Sequence, residues 1–315
     1  MRVIEVARFG GPEELVLVDA PAPVPGPGQV RIAVAAADTL WLETMVRAGR
    51  GDPFFPVDLP YRPGVGVAGT VTTVGGGVDP QWIGRRVVAS VGHAGGGYAT
   101  EALAAADALV PVPDAVADRD AAAVLHDGVT ALAVLGIAPV GPGDRVLITA
   151  AAGGMGAILV QLIAAAGATV IAAARGEAKL SRLRALGAGQ VVDYSEPDWT
   201  RSVAPVDTVL DGAGGSYGRA AFGLVRPGGR FSGHGMPAGG FATGPAGAHD
   251  VTTTGIEAVQ LSPARRRALL SEAVQAVAAK RFEPLIGQVY PLADAPSAHR
   301  AIEERTAIGK TLLVP

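Results

Sequence analysis

Six consecutive residues, Ala151-Ala152-Gly153-Gly154-Met155-Gly156, constrain the fold of this chain more than any other part of it. They follow Arg145-Val146-Leu147-Ile148-Thr149, an apolar run that reads as a strand. They precede Ile158, Leu159, Leu162, Ile163 and Ala166, which recur at the spacing of one helical face before Gly167 closes it. The pattern A-x-G-x-x-G between strand and helix is that of a dinucleotide-binding turn with Ala in the first Gly slot. Gly153 lets backbone approach a pyrophosphate and Gly156 lets helix and strand pack closely. The helix N-terminus presents free N–H groups and a partial positive charge to the anion. Small residues also occur at tight turns without a ligand, so the weight of the motif comes from the strand–helix–strand order around it.

That order continues. Ala168 to Ala174 reads as a second strand, and a helix carrying Leu180, Leu183 and Leu186 closes at Gly187. Val191 to Tyr194, Asp207 to Asp211 and Arg230 to Gly233 supply three more strands. Alternation of this kind predicts a doubly wound parallel sheet. Val146 to Ala174 carries no charge and is long enough to cross a bilayer, but its Ala and Gly content fits a strand, turn and helix better than a span. The end of the second strand discriminates between nucleotides, because an acid there would bind a ribose 2′-OH. Arg175 stands in that place. With Lys179 and Tyr194 it predicts a site for a 2′-phosphate, so NADPH is expected over NADH; the alternative is a pair of solvated charges at a helix entrance.

Up to about residue 112 the texture differs: short Val-rich runs at 30–36, 67–74, 86–91, 98–103 and 109–112 are separated by Gly and Pro, the mark of an all-β domain. A helix starts at Ser262-Pro263 and ends near Lys280-Arg281, and the tail returns to short strands with one helix around Ala295 to Glu304. The expected division is 1–122 completed by 263–315, and 123–262. Lys and Arg total 26 against 29 Asp and Glu, with no basic block, so nucleic acid is not expected as a partner. The absence of cysteine removes disulfides, thiolate metal ligands and a cysteine nucleophile. Charges at Glu5 and Arg8 interrupt any signal-like run, and the expected location is cytoplasmic, without a membrane. His93, His126, His234, His249 and His299 show no local metal-ligand spacing, so no metal is expected. A sheet edge near Val251 to Leu261 predicts a homodimer.

Further landmarks are Pro63-Gly64, Ala68-Gly69-Thr70-Val71, Gly84-Arg85-Arg86-Val87, Gly97-Tyr98-Ala99, Gly128-Val129-Thr130-Ala131, Val206 to Gly215, Arg226-Pro227-Gly228-Gly229-Arg230 and Gly309-Lys310-Thr311. In order and spacing they resemble the zinc-independent quinone oxidoreductase branch of the medium-chain dehydrogenase/reductase superfamily, over nearly the whole chain. The resemblance implies an α/β protein, a GroES-like β-barrel domain joined to a Rossmann domain, with NADPH and an electrophilic substrate meeting in the cleft between them. It implies that Thr130 and Lys310 lie near the nicotinamide and orient cofactor or acceptor. It also implies that Asp211, Gly212, Ala213, Gly214 and Gly235 line the cofactor groove with Ala151, Gly153, Gly154, Met155 and Gly156. The chain departs from the family where an Asn and an Asp usually precede R-x-G: here they are Leu40 and Glu43, before Arg47-Ala48-Gly49. Met45 replaces a frequent Tyr, Gly66 a common acid and Asp127 a Gln.

The expected substrate pocket comprises Leu40, Trp41, Met45, Phe54 and His126, with Phe55 and Tyr61 as further candidates for its apolar wall. Aromatics of a β domain more often belong to its core. Gly214-Gly215-Ser216-Tyr217-Gly218 matches G-x-S-x-G, and Asp250 or Asp294 with His299 would complete a serine hydrolase in the right order. That reading leaves the A-x-G-x-x-G without a role. Gly309-Lys310-Thr311 lacks the upstream Gly and following helix of a phosphate loop. The sequence therefore predicts an NADPH-dependent enzyme delivering hydride to a quinone or an α,β-unsaturated carbonyl, with water protonating the product. The alternative is an NADPH-binding structural or sensory protein without turnover.

Overall fold

Residues 1–51, 53–92, 95–244 and 250–315 are described by a computed structural model of the chain; His93 and His249 lie outside them. Two compact units emerge, Met1–Val129 with Pro263–Pro315, and Thr130–Ser262.

The second unit is built on a six-stranded sheet whose neighbours are all parallel. Its order is Gln190–Asp193, Thr169–Ala174, Arg145–Thr149, Val206–Asp211, Val225–Gly233, Thr252–Gly255. The first strand in sequence lies third, so the order runs outward in both directions from it, the doubly wound Rossmann arrangement. Val146, Leu147 and Ile148 are at most 1% exposed. Such a continuous apolar run reflects burial on both faces of a parallel strand. Helix Gly154–Ala165 buries Ile158, Leu159 and Ile163 as expected, together with Ala157 and Val160, whereas Leu162 is half-buried and Ala166, at the C-cap, is exposed. The uncharged stretch is thus a strand, a helix and a strand. Among the described residues no single helix is long and apolar enough to cross a membrane; the bent pair Asp118–Val124 and Asp127–Ile137 passes that test only when taken together. Thr252–Gly255 forms the sheet edge anticipated near residue 251.

The first unit centres on a mostly antiparallel seven-stranded sheet. Ile286–Pro291, Lys310–Val314, Gln29–Asp38, Gly66–Val74, Arg86–Ser90 and Val110–Pro111 follow one another, and Glu101–Ala105 also pairs with Gln29–Asp38. Arg2–Glu5 and Val16–Asp19 form a separate ribbon. The core gathers Ile4, Val30, Ile32, Val67, Val87, Tyr98 and Leu109 with Ala298 and Leu313 from the tail. This unit extends past residue 122 to Val129, because helix Asp118–Val124 packs on strands Gln29–Asp38 and Gly66–Val74 and on helix Pro263–Ala278. The C-terminal strand enters beside Gln29–Asp38, with Leu312 opposite Asp38 and Leu313 opposite Ala37. That register brings residues 38 and 310, distant in sequence, side by side.

Candidate functional site

The turn after Arg145–Thr149 is shaped by backbone. Ala150 adopts φ 51°, an unusual left-handed value for a side-chain-bearing residue, and swings the chain toward helix Gly154–Ala165, whose N-cap is Gly153. A Cβ on Gly156 would lie 2.6 Å from the Ala151 carbonyl oxygen and 2.7 Å from that of Ala150, so only glycine allows helix and strand this close. Across the turn, Asp211 at the end of the neighbouring strand is fully buried. Its carboxylate accepts from Thr149 Oγ1 and, at 3.1 Å, from the amides of Ala213 and Gly214. Thr149 Oγ1 in turn accepts from Gly212 and Ala213, each at 3.1 Å. Burial pushes the Asp211 carboxyl up, and these hydrogen bonds oppose it. The two turns are therefore tied together at the carboxyl ends of adjacent strands, where the strand order reverses, the position at which open parallel sheets bind ligands.

Of the residues expected in the groove, Gly153 is exposed and Gly154, Met155, Gly212 and Gly235 are half-buried. Ala151, Ala213 and Asp211 lie beneath the surface, where they set the shape of the turns and present no side chain to a ligand. Gly235 passes so near Gly212 that a Cβ would fall 2.0 Å from its carbonyl oxygen.

At the end of Thr169–Ala174, the Arg175 guanidinium donates to the Tyr217 hydroxyl at 2.8 Å and lies 5.4 Å from the centre of that ring. Tyr217 stacks on Tyr194, centroids 4.5 Å apart. Gly176, φ 75°, donates its amide to Asp193 at 2.8 Å. The Arg175 Nε is buried and meets no hydrogen-bond partner among the described residues. A buried guanidinium nitrogen in that state suits an anion. Arg175 and Tyr194 thus meet at one corner, through Tyr217, which the sequence reading did not single out.

The first unit holds a second cluster. Asp38, fully buried, accepts from His126 Nδ1 at 2.7 Å and lies 3.3 Å from the Lys310 ammonium, which is also 3.3 Å from Asp127. Burial alone would raise the Asp38 pKa, but His126 and Lys310 outweigh it and hold the carboxyl low. For Lys310 burial works downward, and the charges of Asp127 and Asp38 reverse it to a raised pKa. Lys310 was expected to orient cofactor or acceptor; its ammonium is buried and engaged by two carboxylates.

Beside it, Glu43 lies in the first turn of helix Trp41–Arg47. Its carboxylate accepts the Leu40 amide at 2.8 Å, the Gly64 amide at 3.0 Å and the Tyr98 hydroxyl at 2.7 Å. Glu43 thus caps the helix and ties it to two distant loops. Burial first, and the charge of Asp38 second, push its pKa up to about 7. The Tyr98 oxygen meets His299 Nε2 at 3.1 Å; burial and the nearby Arg47 charge bring that imidazole down to about 3. Arg47 pairs with Glu303.

The hydrolase reading fails here: His299 is fully buried against Tyr98, whereas Asp250, Asp294 and Ser216 are exposed. Of the expected substrate pocket, Phe54 is 80% exposed; Leu40, Trp41, Met45 and His126 are half-buried. Phe55 and Tyr61 instead line a small cavity with Leu42, Glu43 and Val57. Asp38, Tyr98 and Arg47 escaped the sequence reading as site residues. The signal available was an ionisable residue closing an otherwise apolar strand. Among the described residues no group of three or more His, Cys, Asp or Glu side chains could hold a metal ion.

The family described as alcohol dehydrogenase GroES-like domain matches residues 26–114, and that described as zinc-binding dehydrogenase matches 186–313. A 2-haloacrylate reductase of Burkholderia sp is 32% identical over 97% of this chain and 96% of its own length. A quinone oxidoreductase of Sus scrofa is 33% identical over 100% of this chain and 98% of its own. Among solved structures, Escherichia coli quinone oxidoreductase complexed with NADPH superposes with a TM-score of 0.90 at 26% identity, covering both chains completely. Mycobacterial Rv1454c complexed with NADPH does so at 0.88 and 31%, again over 100% of each chain.

Proposed function

Because the chain belongs to the quinone oxidoreductase branch of the medium-chain dehydrogenase/reductase superfamily, we propose that it is an NADPH-dependent reductase of quinones or α,β-unsaturated carbonyls that works without a metal. The observation that carries this reading is the anion-ready turn at the reversal of strand order, with Arg175 where a ribose-binding acid would stand. In this reading the first amides of helix Gly154–Ala165 hold the pyrophosphate, and Gly153 and Gly156 keep side chains out of its way. Arg175, with Lys179 and Tyr194, receives the 2′-phosphate; Gly212 and Gly235 line the groove, and Thr130 and the neighbourhood of Lys310 belong to the nicotinamide end. NADPH bound there supplies the hydride. The chain's own contribution is to orient the acceptor and exclude water, which is most of what hydride transfer requires. The NADPH-bound relatives, the 2-haloacrylate reductase and the quinone oxidoreductase support it. Lack of cysteine leaves no thiolate to hold zinc, which supports chemistry without it. The exposed Thr252–Gly255 edge supports a homodimer formed by strand pairing.

Calorimetric titration with NADPH and NADH, followed by stopped-flow loss of NADPH absorbance against quinone and enone panels, tests the proposal. The expected result is tighter binding of NADPH and turnover on at least one panel. Binding without turnover on any acceptor would replace it with a sensory or structural role.

A further inference from the structure

An arginine receives a phosphate best when its guanidinium is already in place, because a free side chain of that length gives up much rotamer freedom on binding. In the unit Thr130–Ser262, Arg175 is held by a column of aromatic rings. Its Nη2 donates to the Tyr217 hydroxyl at 2.8 Å, and the guanidinium carbon lies 5.4 Å from the centre of the same ring. Tyr217 stacks on Tyr194 with centroids 4.5 Å apart and planes inclined by 26°, and Tyr194 meets Trp199 edge-on at 6.5 Å. Tyr194 and Trp199 belong to the buried core of this unit and Tyr217 packs against it, so the column stands on a firm base.

The top ring is anchored from a second side. Tyr217 lies in the first turn of helix Gly215–Phe222, whose N-cap is Gly214. The Gly214 amide donates to the two oxygens of buried Asp211 at 3.1 and 3.2 Å, and a Cβ on Gly218 would fall 2.2 Å from Asp211 Oδ2. Backbone therefore pins this helix to the strand end beneath it. A competing partner for the guanidinium is near: Asp193 senses the Arg175 charge, and its oxygens accept from the amides of Gly176 and Ser195 at 2.8 and 2.9 Å. Among the described residues Arg175 forms no ion pair, and its buried Nε meets no acceptor. A hydroxyl partner orients a guanidinium without neutralising it, as a carboxylate would.

Resting on the reading of this corner as the 2′-phosphate site, we propose that Tyr217 is a positioning residue for nucleotide specificity: it holds Arg175 in the pose that receives the 2′-phosphate and keeps it off Asp193. Tyr217 acts through Arg175, 42 positions away in sequence, and on a helix outside the A-x-G-x-x-G turn. The orientation is set before the nucleotide arrives, so its effect falls on affinity for a nucleotide that carries the 2′-phosphate. A nucleotide with a free 2′-hydroxyl draws nothing from it. The assignment also gives a role to the segment Gly214-Gly215-Ser216-Tyr217-Gly218. Its resemblance to a hydrolase turn has no chemistry behind it, but its glycines seat the helix on Asp211 and its tyrosine seats the arginine.

Calorimetric titration of native protein, Tyr217→Phe, Arg175→Ala and the double variant with NADPH, NADH and adenosine 2′,5′-bisphosphate tests this. Tyr217→Phe keeps the ring and its stack on Tyr194 and removes only the oxygen. It is expected to weaken NADPH and adenosine 2′,5′-bisphosphate about 5-fold and to leave NADH nearly unchanged, which also reports that the fold and the glycine turn are intact. In the Arg175→Ala background the same substitution is expected to add nothing, because a residue that works through the guanidinium has no effect once the guanidinium is gone. Unchanged NADPH affinity in Tyr217→Phe, equal weakening of NADPH and NADH by it, or full additivity in the double variant would overturn the assignment while leaving the 2′-phosphate reading of Arg175 in place. Native protein that binds NADPH no tighter than NADH, or an Arg175→Ala variant that weakens both equally, would overturn that reading and the assignment together.

Discussion

The two polar regions of this molecule are made in opposite ways. The turn at Gly153 to Gly156 is a local object, in which backbone amides, glycines and one helix N-terminus do the work within a few residues of chain. The cluster of Asp38, His126, Asp127 and Lys310 is assembled from a strand, a helix start and a C-terminal strand that meet only through sheet register. The first presents a helix N-terminus, an arrangement that favours anions. In the second, one buried ammonium serves two carboxylates, so its charges are mutually dependent. Substitutions in the first should therefore change ligand affinity, whereas those in the second should change stability and pH response.

The largest effect is expected from Lys310→Met. Removing a buried ammonium that serves two carboxylates should cost about 3–5 kcal/mol, read by urea unfolding of the full chain. A change below ~1 kcal/mol, within the range of exposed ion pairs, would break the contrast by making this cluster behave like a surface one.

Next comes Glu43. Its folded pKa, about 7, lies above the ordinary 4.5, so the native state holds its proton longer than the unfolded chain. The stability this contributes is complete below pH 4.5 and is lost as pH rises through 7. His299 and His234, with pKa values lowered to about 3 and about 4 by burial, act in the opposite direction but are common to native protein and Glu43→Gln. The stability of native protein relative to Glu43→Gln should therefore fall by about 3 kcal/mol between pH 4.5 and 8. Paired melts across that range measure it, and a flat difference would show that Glu43 is ionised in the folded state throughout.

In the second unit the effects are on binding. Arg175→Ala should weaken NADPH about 10- to 100-fold, the value of a charge-assisted hydrogen bond of 1.5–3 kcal/mol, and leave NADH nearly unchanged; equal weakening of both would remove the 2′-phosphate from this corner. Gly156→Ala should cost about 1–3 kcal/mol through overpacking, seen as weaker binding of both nucleotides by calorimetry. Undiminished affinity would mean that the strand–helix approach at this point is not required for the ligand.

The same contrast explains what could be read before the fold was known. Arg145–Thr149, the helix after it and the Arg175 position follow from periodicity and short-range spacing, and they reappear in the sheet with bounds nearly unchanged. Asp211 was expected to line the cofactor groove from the family resemblance, and the structure buries it, because its place at a strand end does not say which way its carboxylate turns. Phe54 was grouped with Phe55 and Tyr61 by residue type, yet only the latter two face the cavity beside Glu43. Asp38 carried no motif of its own.

The amino-acid order alone determined the alternation of strands and helices, the glycine-rich turn between the first parallel strand and its helix, and the absence of an acid after the second strand of the parallel sheet, because each is set by neighbours within a few residues. Only the tertiary structure decided that Asp38, His126 and Lys310 share one charge cluster, that Glu43 is buried enough to hold a proton near neutrality, and that His299 is sealed against Tyr98. Those outcomes depend on desolvation and on distances of a few ångströms between residues up to hundreds of positions apart, and neither exists until the sheets have paired.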